Sequence, residues 1–203
     1  MSQILTLVGI STLQTLEMVL FSTLFSMVIG FPLGVLLYST NSMGITPRPI
    51  LNQVLSRIVN VLRSFPFIIL MILLFPLSRL ILGTSIGTTA TIIPLSIAAA
   101  PFVARLVETA LLEVDPGMIQ AARAMGSTNS QIIYKVLIPE SMPSLVSGIT
   151  LTIINLIGYS AMAGTIGGGG LGDLAIRYGY QRFRPDVMAA SVVVIIVMVE
   201  VIQ

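Results

Sequence analysis

The chain is 203 residues long, 55% hydrophobic and only 9% charged, with a net charge of +2 and a mean hydropathy of +1.01. A soluble domain carries roughly a quarter of its residues as charges, and disorder needs low hydrophobicity with high net charge; both are excluded, and lipid is the main solvent. With no Cys and no His, the chain lacks disulfides, thiolate metal sites, cysteine nucleophiles and the commonest general base, and +2 is too small a charge to imply nucleic-acid binding.

No Lys or Arg precedes Arg48, so the basic n-region of a cleaved signal peptide is missing and the apolar segments are expected to be permanent spans. A span needs about 20 mostly apolar residues to cross roughly 30 Å of hydrocarbon. The first is expected at 16–38, ahead of the polar run Ser39, Thr40 and Asn41. Within it, Gly30 and Gly34 form a GxxxG match that suits close helix packing inside one subunit or a dimer contact. Pro32 is a candidate kink.

The second span is expected at 54–78, with Arg57 and Arg63 near the interface, and a turn of Gly83, Thr84, Ser85 and Gly87 hairpins it onto a third at 86–104. Interfacial snorkelling accounts for Arg63 and Arg105, or else Arg105 pairs with Glu108 one turn on. The fourth span is expected at 141–164 and ends in the glycine run from Gly164 to Gly172, read as a non-helical loop. That run lacks the Lys and Ser/Thr of a P-loop and the βαβ setting of a dinucleotide fingerprint. A polar connector follows, with Tyr178, Tyr180 and Phe183 suited to the headgroup region. Pro185 then opens a fifth span at 186–203. No basic anchor follows it before Gln203. With the N-terminus outside, the inner loops hold Arg48, Arg57, Arg63, Arg105, Arg123 and Lys135, and the outer ones Arg79, Arg177, Arg182 and Arg184, in the positive-inside sense.

The segment 105–140 is the long charged stretch between spans. Asp115 and Pro116 read as N-cap and first helical residue, and Gly126 as a left-handed terminator, giving a helix from Pro116 to Met125. Met118, Ala121, Ala122 and Met125 recur at helical spacing on one small, soft face. Thr128 and Gln131 fit a capping box for a second helix reaching Leu137, with Pro139 and Pro143 expected to break the chain before the fourth span. Spacing alone suits a surface hairpin as well as a docking element.

Residue identities go further. Gln120-Ala121-Ala122, Gly126 and Val136-Leu137-Ile138-Pro139 resemble the Glu-Ala-Ala loop of ABC-importer permeases, with Gln120 in place of the Glu. The runs from Arg63 to Leu70, from Ala99 to Arg105, from Glu108 to Glu113 and from Gly158 to Gly164, then Gly169 to Gly172 and Tyr178-Gly179-Tyr180, are similar to the permeases of methionine ABC importers, in the binding-protein-dependent transport family. The resemblance implies that Met118, Gln120, Ala121, Ala122, Met125, Gly126 and Pro139 form a coupling helix and its flanks, seated in a cytoplasmic ATPase. It raises Tyr159, Ser160 and Met162 from ordinary helix-packing positions to candidates for a pathway or gate.

The chemistry is compatible. Ion-coupled carriers usually keep acids within the bundle, but here Glu17 and Glu200 sit near the ends of spans. Transport therefore needs an external engine. The expectation is an all-α integral membrane protein with five transmembrane helices and a cytoplasmic coupling-helix loop between spans three and four. Its role is uptake of methionine, in L- or D-form, by alternating access in the inner membrane. Expected partners are a second copy, two ATPase chains that hold ATP and magnesium, and an extracytoplasmic binding protein; no cofactor or catalytic site is expected in this chain. The alternatives are an importer permease for another amino acid or organic solute, or an ATP-independent channel or structural subunit.

Overall fold

A computed structural model describes residues 2–203, and the regular elements among them are all helical. They are α1 (Ser2–Thr40), α2 (Pro49–Ser64), α3 (Phe67–Leu82), α4 (Thr88–Leu112), α5 (Pro116–Ala124), α6 (Asn129–Ile132), α7 (Ile138–Glu140), α8 (Met142–Gly164), α9 (Gly170–Asp173) and α10 (Pro185–Ile202). Two π-helical stretches, Ile133–Leu137 and Leu174–Tyr180, follow α6 and α9. Among the described residues, α1, α4, α8 and α10 are each long and apolar enough to cross a membrane, and α2 with α3 make a fifth if the pair, broken between them, is counted as one span.

Three expected spans change. α1 starts far ahead of residue 16 and has 39 residues, about 58 Å at 1.5 Å each, almost twice the hydrocarbon thickness. A charge sets where hydrocarbon ends, whereas a helix ends at a breaker, and the residues before Glu17 include no Pro and a single Gly, Gly9. The expected continuous second span is broken at Phe65 and Pro66, where Pro66 has an extended ψ of 127°. Proline has no N–H to continue the ladder and pushes its predecessor out of the helical region. α4 continues through Arg105 to Leu112, so the inter-span loop starts later than residue 105. Pro32 does not interrupt α1.

The chain divides into two compact units. One draws on the described part of Met1–Ser26, Phe65–Ala99 and Thr150–Gln203. Its core is Met18, Val19, Ile92, Leu95, Ala99, Leu156 and Ile157, with Phe67, Tyr159 and Ile195 against it. Gly83, in a left-handed conformation at φ 76°, caps α3 by bonding its N–H to the Arg79 carbonyl, and starts the expected turn into α4.

The other unit comprises Met27–Ser64 and Ala100–Ile149. Here the GxxxG match resolves as a contact within the chain. A Cβ built on Gly30 would lie 2.6 Å from the Ala100 carbonyl oxygen, and one on Gly34 2.6 Å from that of Ala104. Lipid supplies no hydrophobic drive for helix association, so such close backbone packing holds α1 on α4. The C-terminus of α1 is capped by Asn52 of α2, whose Nδ2 donates to the Leu37 carbonyl at 2.8 Å and to Thr40 Oγ1 at 3.1 Å. Val59 and Leu55 of α2 pack on Leu37 and Ala104.

Candidate coupling and pathway sites

The coupling segment is built by local rules. Asp115 Oδ1 accepts from the Gly117 N–H at 2.7 Å, and Pro116 occupies the first turn of α5. Gly126 takes φ 81°, the left-handed region that a Cβ disfavours. The Gly126 and Ser127 N–H groups return to the carbonyls of Arg123 and Ala122. Thr128 and Gln131 close the expected capping box: the Thr128 N–H donates to Gln131 Oε1 at 2.9 Å, and the Gln131 N–H to Thr128 Oγ1 at 3.3 Å.

Two expectations about this segment are corrected. Pro139 does not break the chain: it sits exposed in α7, just after a π-helical stretch in which the Ile138 N–H bonds the Ile133 carbonyl. The wider π-turn absorbs the missing proline donor. Pro143 lies near the start of α8, where a missing N–H costs little. The expected four-residue face of α5 also divides. Ala122 is 2% exposed and packs with Leu111, Ile132, Leu137 and Leu145, while Ile119 covers the same core. Met118, Gln120, Ala121 and Met125 remain exposed, Met125 at 79%. One side of α5 is therefore an anchor and the other is free.

Two polar staples in this unit reach partners far away along the chain. Arg123 Nη2 donates to the Ile45 carbonyl at 3.0 Å, tying α5 to the α1–α2 connection. Arg105 meets Glu108 at 2.5 Å, as one of the two readings expected, and also donates to the Ser56 carbonyl at 3.2 Å and to Asn60 Oδ1 at 3.0 Å, both on α2. Glu108 is 5% exposed. A buried carboxylate needs such pairing. Arg63 is exposed in the last turn of α2.

On α8 the three pathway candidates separate. Ser160 is buried within this chain and donates to the Ile157 carbonyl of its own helix at 2.7 Å. The back-bond satisfies a hydroxyl that would otherwise be orphaned in the core. Tyr159 is half-buried and stacks on Phe67, with ring centroids 4.3 Å apart and planes at 5°. Met162 is exposed. The glycine run after α8 is also more ordered than expected. Gly170 to Asp173 are helical, and the following connector continues as a π-helix to Tyr180. The reason is tertiary: Gln14 Oε1 accepts from the Gly170 N–H at 3.0 Å and Thr15 Oγ1 from the Leu171 N–H at 2.9 Å, so α1 caps α9. A Cβ on Gly172 would collide with the Ala161 backbone, which explains a glycine there. Beyond it, Arg182 lies 4.4 Å over the Tyr178 ring, with Tyr180 and Phe183 exposed.

The segment that begins with α5 thus packs on α1, α4 and α8 within its unit. A family model described as "binding-protein-dependent transport system inner membrane component" matches residues 30–202. The chain belongs to that family. It is therefore a multi-pass inner-membrane transport permease. Among curated relatives, the probable D-methionine transport system permease protein MetI of Vibrio cholerae is 51% identical over 95% of this chain and 86% of its own length. The protein of the same description from Pasteurella multocida is 54% identical over 95% and 89%. The D-methionine transport system permease protein MetI of Escherichia coli is 53% identical over 74% and 70%. Among solved structures, the native CY5 crystal form of the inward-facing MetNI methionine ABC transporter matches with a TM-score of 0.98 and 47% identity, over all of this chain and 94% of that one. The permease also shares its fold, at 22% identity and a TM-score of 0.76, with an amino acid ABC transporter crystallised with histidines.

Proposed function

We propose that this chain is the permease subunit of an ATP-driven ABC importer that takes up methionine, in L- or D-form, by alternating access. The observation that carries the substrate is its 51% identity, across 95% of the chain, to a D-methionine permease. Two copies form the pathway, two cytoplasmic ATPase chains bind ATP and magnesium and hydrolyse the nucleotide, and an extracytoplasmic binding protein delivers the amino acid. The permease itself performs no covalent chemistry.

The local geometry supports a specific transmission step. Met118, Ala121 and Met125 share the exposed side of α5, and a soft, small-residue surface accommodates an irregular groove in a partner. The opposite side is fixed by Ala122 and Ile119 in the core, by the Arg123 bond to Ile45, and by caps at both ends. A push on α5 is therefore not dissipated by local rocking: it displaces the core that α5 shares with α1, α4 and α8. Gln120 stands exposed at the position where the family pattern has Glu, so docking relies on shape and apolar contact more than on an ion pair there. On the pathway side, Met162 with Tyr159 provides a movable constriction on the exposed side of α8.

The test is reconstitution with the partner ATPase and binding protein, measuring uptake of labelled L- and D-methionine against other amino acids. ATP-dependent methionine uptake is expected. Flux without ATP overturns the importer reading, and uptake of a different solute alone overturns only the substrate.

A further inference from the structure

One polar side chain in α8 is used by nothing described so far. Asn155 lies within a helix of 23 residues that carries no charge. At 1.5 Å per residue it sits about 20 Å from Met142 and about 14 Å from Gly164, well inside the hydrocarbon depth. It is exposed on the surface of the chain, and no hydrogen bond of its carboxamide is found among the described residues. An amide turned into acyl chains forfeits every hydrogen bond it makes in water, with nothing in return. Bare lipid is therefore the wrong neighbour.

The residues around it indicate what the neighbour is. Leu151, Asn155, Gly158 and Met162 are all exposed and follow one another at helical spacing, so they form a single stripe. Gly158 has nothing within 4 Å of where a Cβ would stand, which leaves open space beside the Asn155 amide. Tyr159 borders the stripe. Close packing of two helices favours repeated small residues, whereas this stripe has one glycine among leucine, asparagine and methionine. A polar, hydrated passage accommodates that mixture better than a tight helix pair does.

We propose that Asn155 faces the substrate pathway and that its carboxamide hydrogen-bonds the ammonium or carboxylate of the passing amino acid. This rests on the permease reading above and deepens it: Met162 narrows the stripe by bulk, and Asn155, two turns away, supplies its polar contact. A carboxamide offers both donors and an acceptor, so it matches a zwitterion without holding it as strongly as a charge would.

The experiment exploits the absence of cysteine among these 203 residues. Single variants Asn155→Cys, Met162→Cys and, as a control on the exposed apolar surface of α1, Leu24→Cys are assembled with their partner chains in proteoliposomes. They are treated with a charged, water-borne methanethiosulfonate, and modification is read as a mass shift on this subunit. Modification at positions 155 and 162 but not 24 is expected, with protection at 155 by saturating substrate. In parallel, Asn155→Leu is expected to raise the KM for uptake roughly tenfold, the scale of one lost hydrogen bond to a charged group. Asn155→Gln should restore most of the affinity, and ATPase activity should persist in both. Labelling at 162 but not at 155 overturns this inference and leaves the permease pathway intact; labelling at neither overturns both. A copper-catalysed disulfide between two copies of Asn155→Cys, with no aqueous modification, overturns it in favour of a helix contact between subunits. An unchanged KM in Asn155→Leu also overturns it.

Discussion

Replacing Gly34 by Ala tests whether the α1–α4 crossing holds this fold by backbone proximity. The added Cβ would stand 2.6 Å from both the Ala104 carbonyl oxygen and Val107 Cβ. An ordinary carbon contact begins near 3.4 Å, so α1 and α4 must separate by about 0.8 Å, since a backbone carbonyl cannot rotate away. Over-packing of this kind costs about 1–3 kcal/mol. Against it stands the higher helix propensity of Ala over Gly, about 1 kcal/mol. The net is a destabilisation of about 0–2 kcal/mol. Gly9, in the same helix, has nothing within 4 Å, so Gly9→Ala keeps the propensity gain without the collision. The two variants should differ by about 1–3 kcal/mol, roughly 2–12 °C in melting temperature for a chain of this size. The assay is thermal unfolding of the purified subunit in one detergent, followed by the loss of monodisperse protein. If Gly34→Ala melts as high as Gly9→Ala, the crossing is not close-packed and the reasoning fails.

Three further outcomes follow from the same contacts. Arg105→Leu strands the buried Glu108 carboxylate and frees Ser56 and Asn60, and should cost about 3 kcal/mol, whereas the double variant Arg105→Leu/Glu108→Leu should recover much of it; chemical denaturation of the two checks this. Ala121→Trp, on the exposed side of α5, should leave the melting temperature unchanged and abolish co-purification with the ATPase, while Ala122→Trp, in the core, should lower the melting temperature as well. Met162→Trp should reduce uptake without reducing the yield of assembled transporter, and unchanged uptake would count against Met162 as a constriction.

The burial of Ser160 shows the kind of information a linear reading lacks. Tyr159, Ser160 and Met162 are neighbours in sequence, yet consecutive helical residues point about 100° apart. Ser160 turns into the core and Met162 out of it. The same geometry divides Ala121 from Ala122. A helix with apolar residues on more than one side does not state which side is inward; that depends on helices far away in sequence.

What the sequence by itself determined is whatever is local or set by the solvent. Lipid requires each spanning backbone to satisfy its own hydrogen bonds, so the apolar runs had to become helices, and α8 and α10 begin and end within a residue or two of where hydropathy places them. The caps at Asp115, Gly126 and Thr128 involve partners within five residues, so they are readable without a fold. Tertiary structure decided the contacts made across long separations: Gly34 against Ala104, Arg105 with Asn60, Arg123 with Ile45, and Gln14 and Thr15 capping a glycine-started helix that local propensity would leave as loop. In each case a backbone or polar group found its partner only because distant helices had been brought together, and no pattern along the chain encodes that pairing.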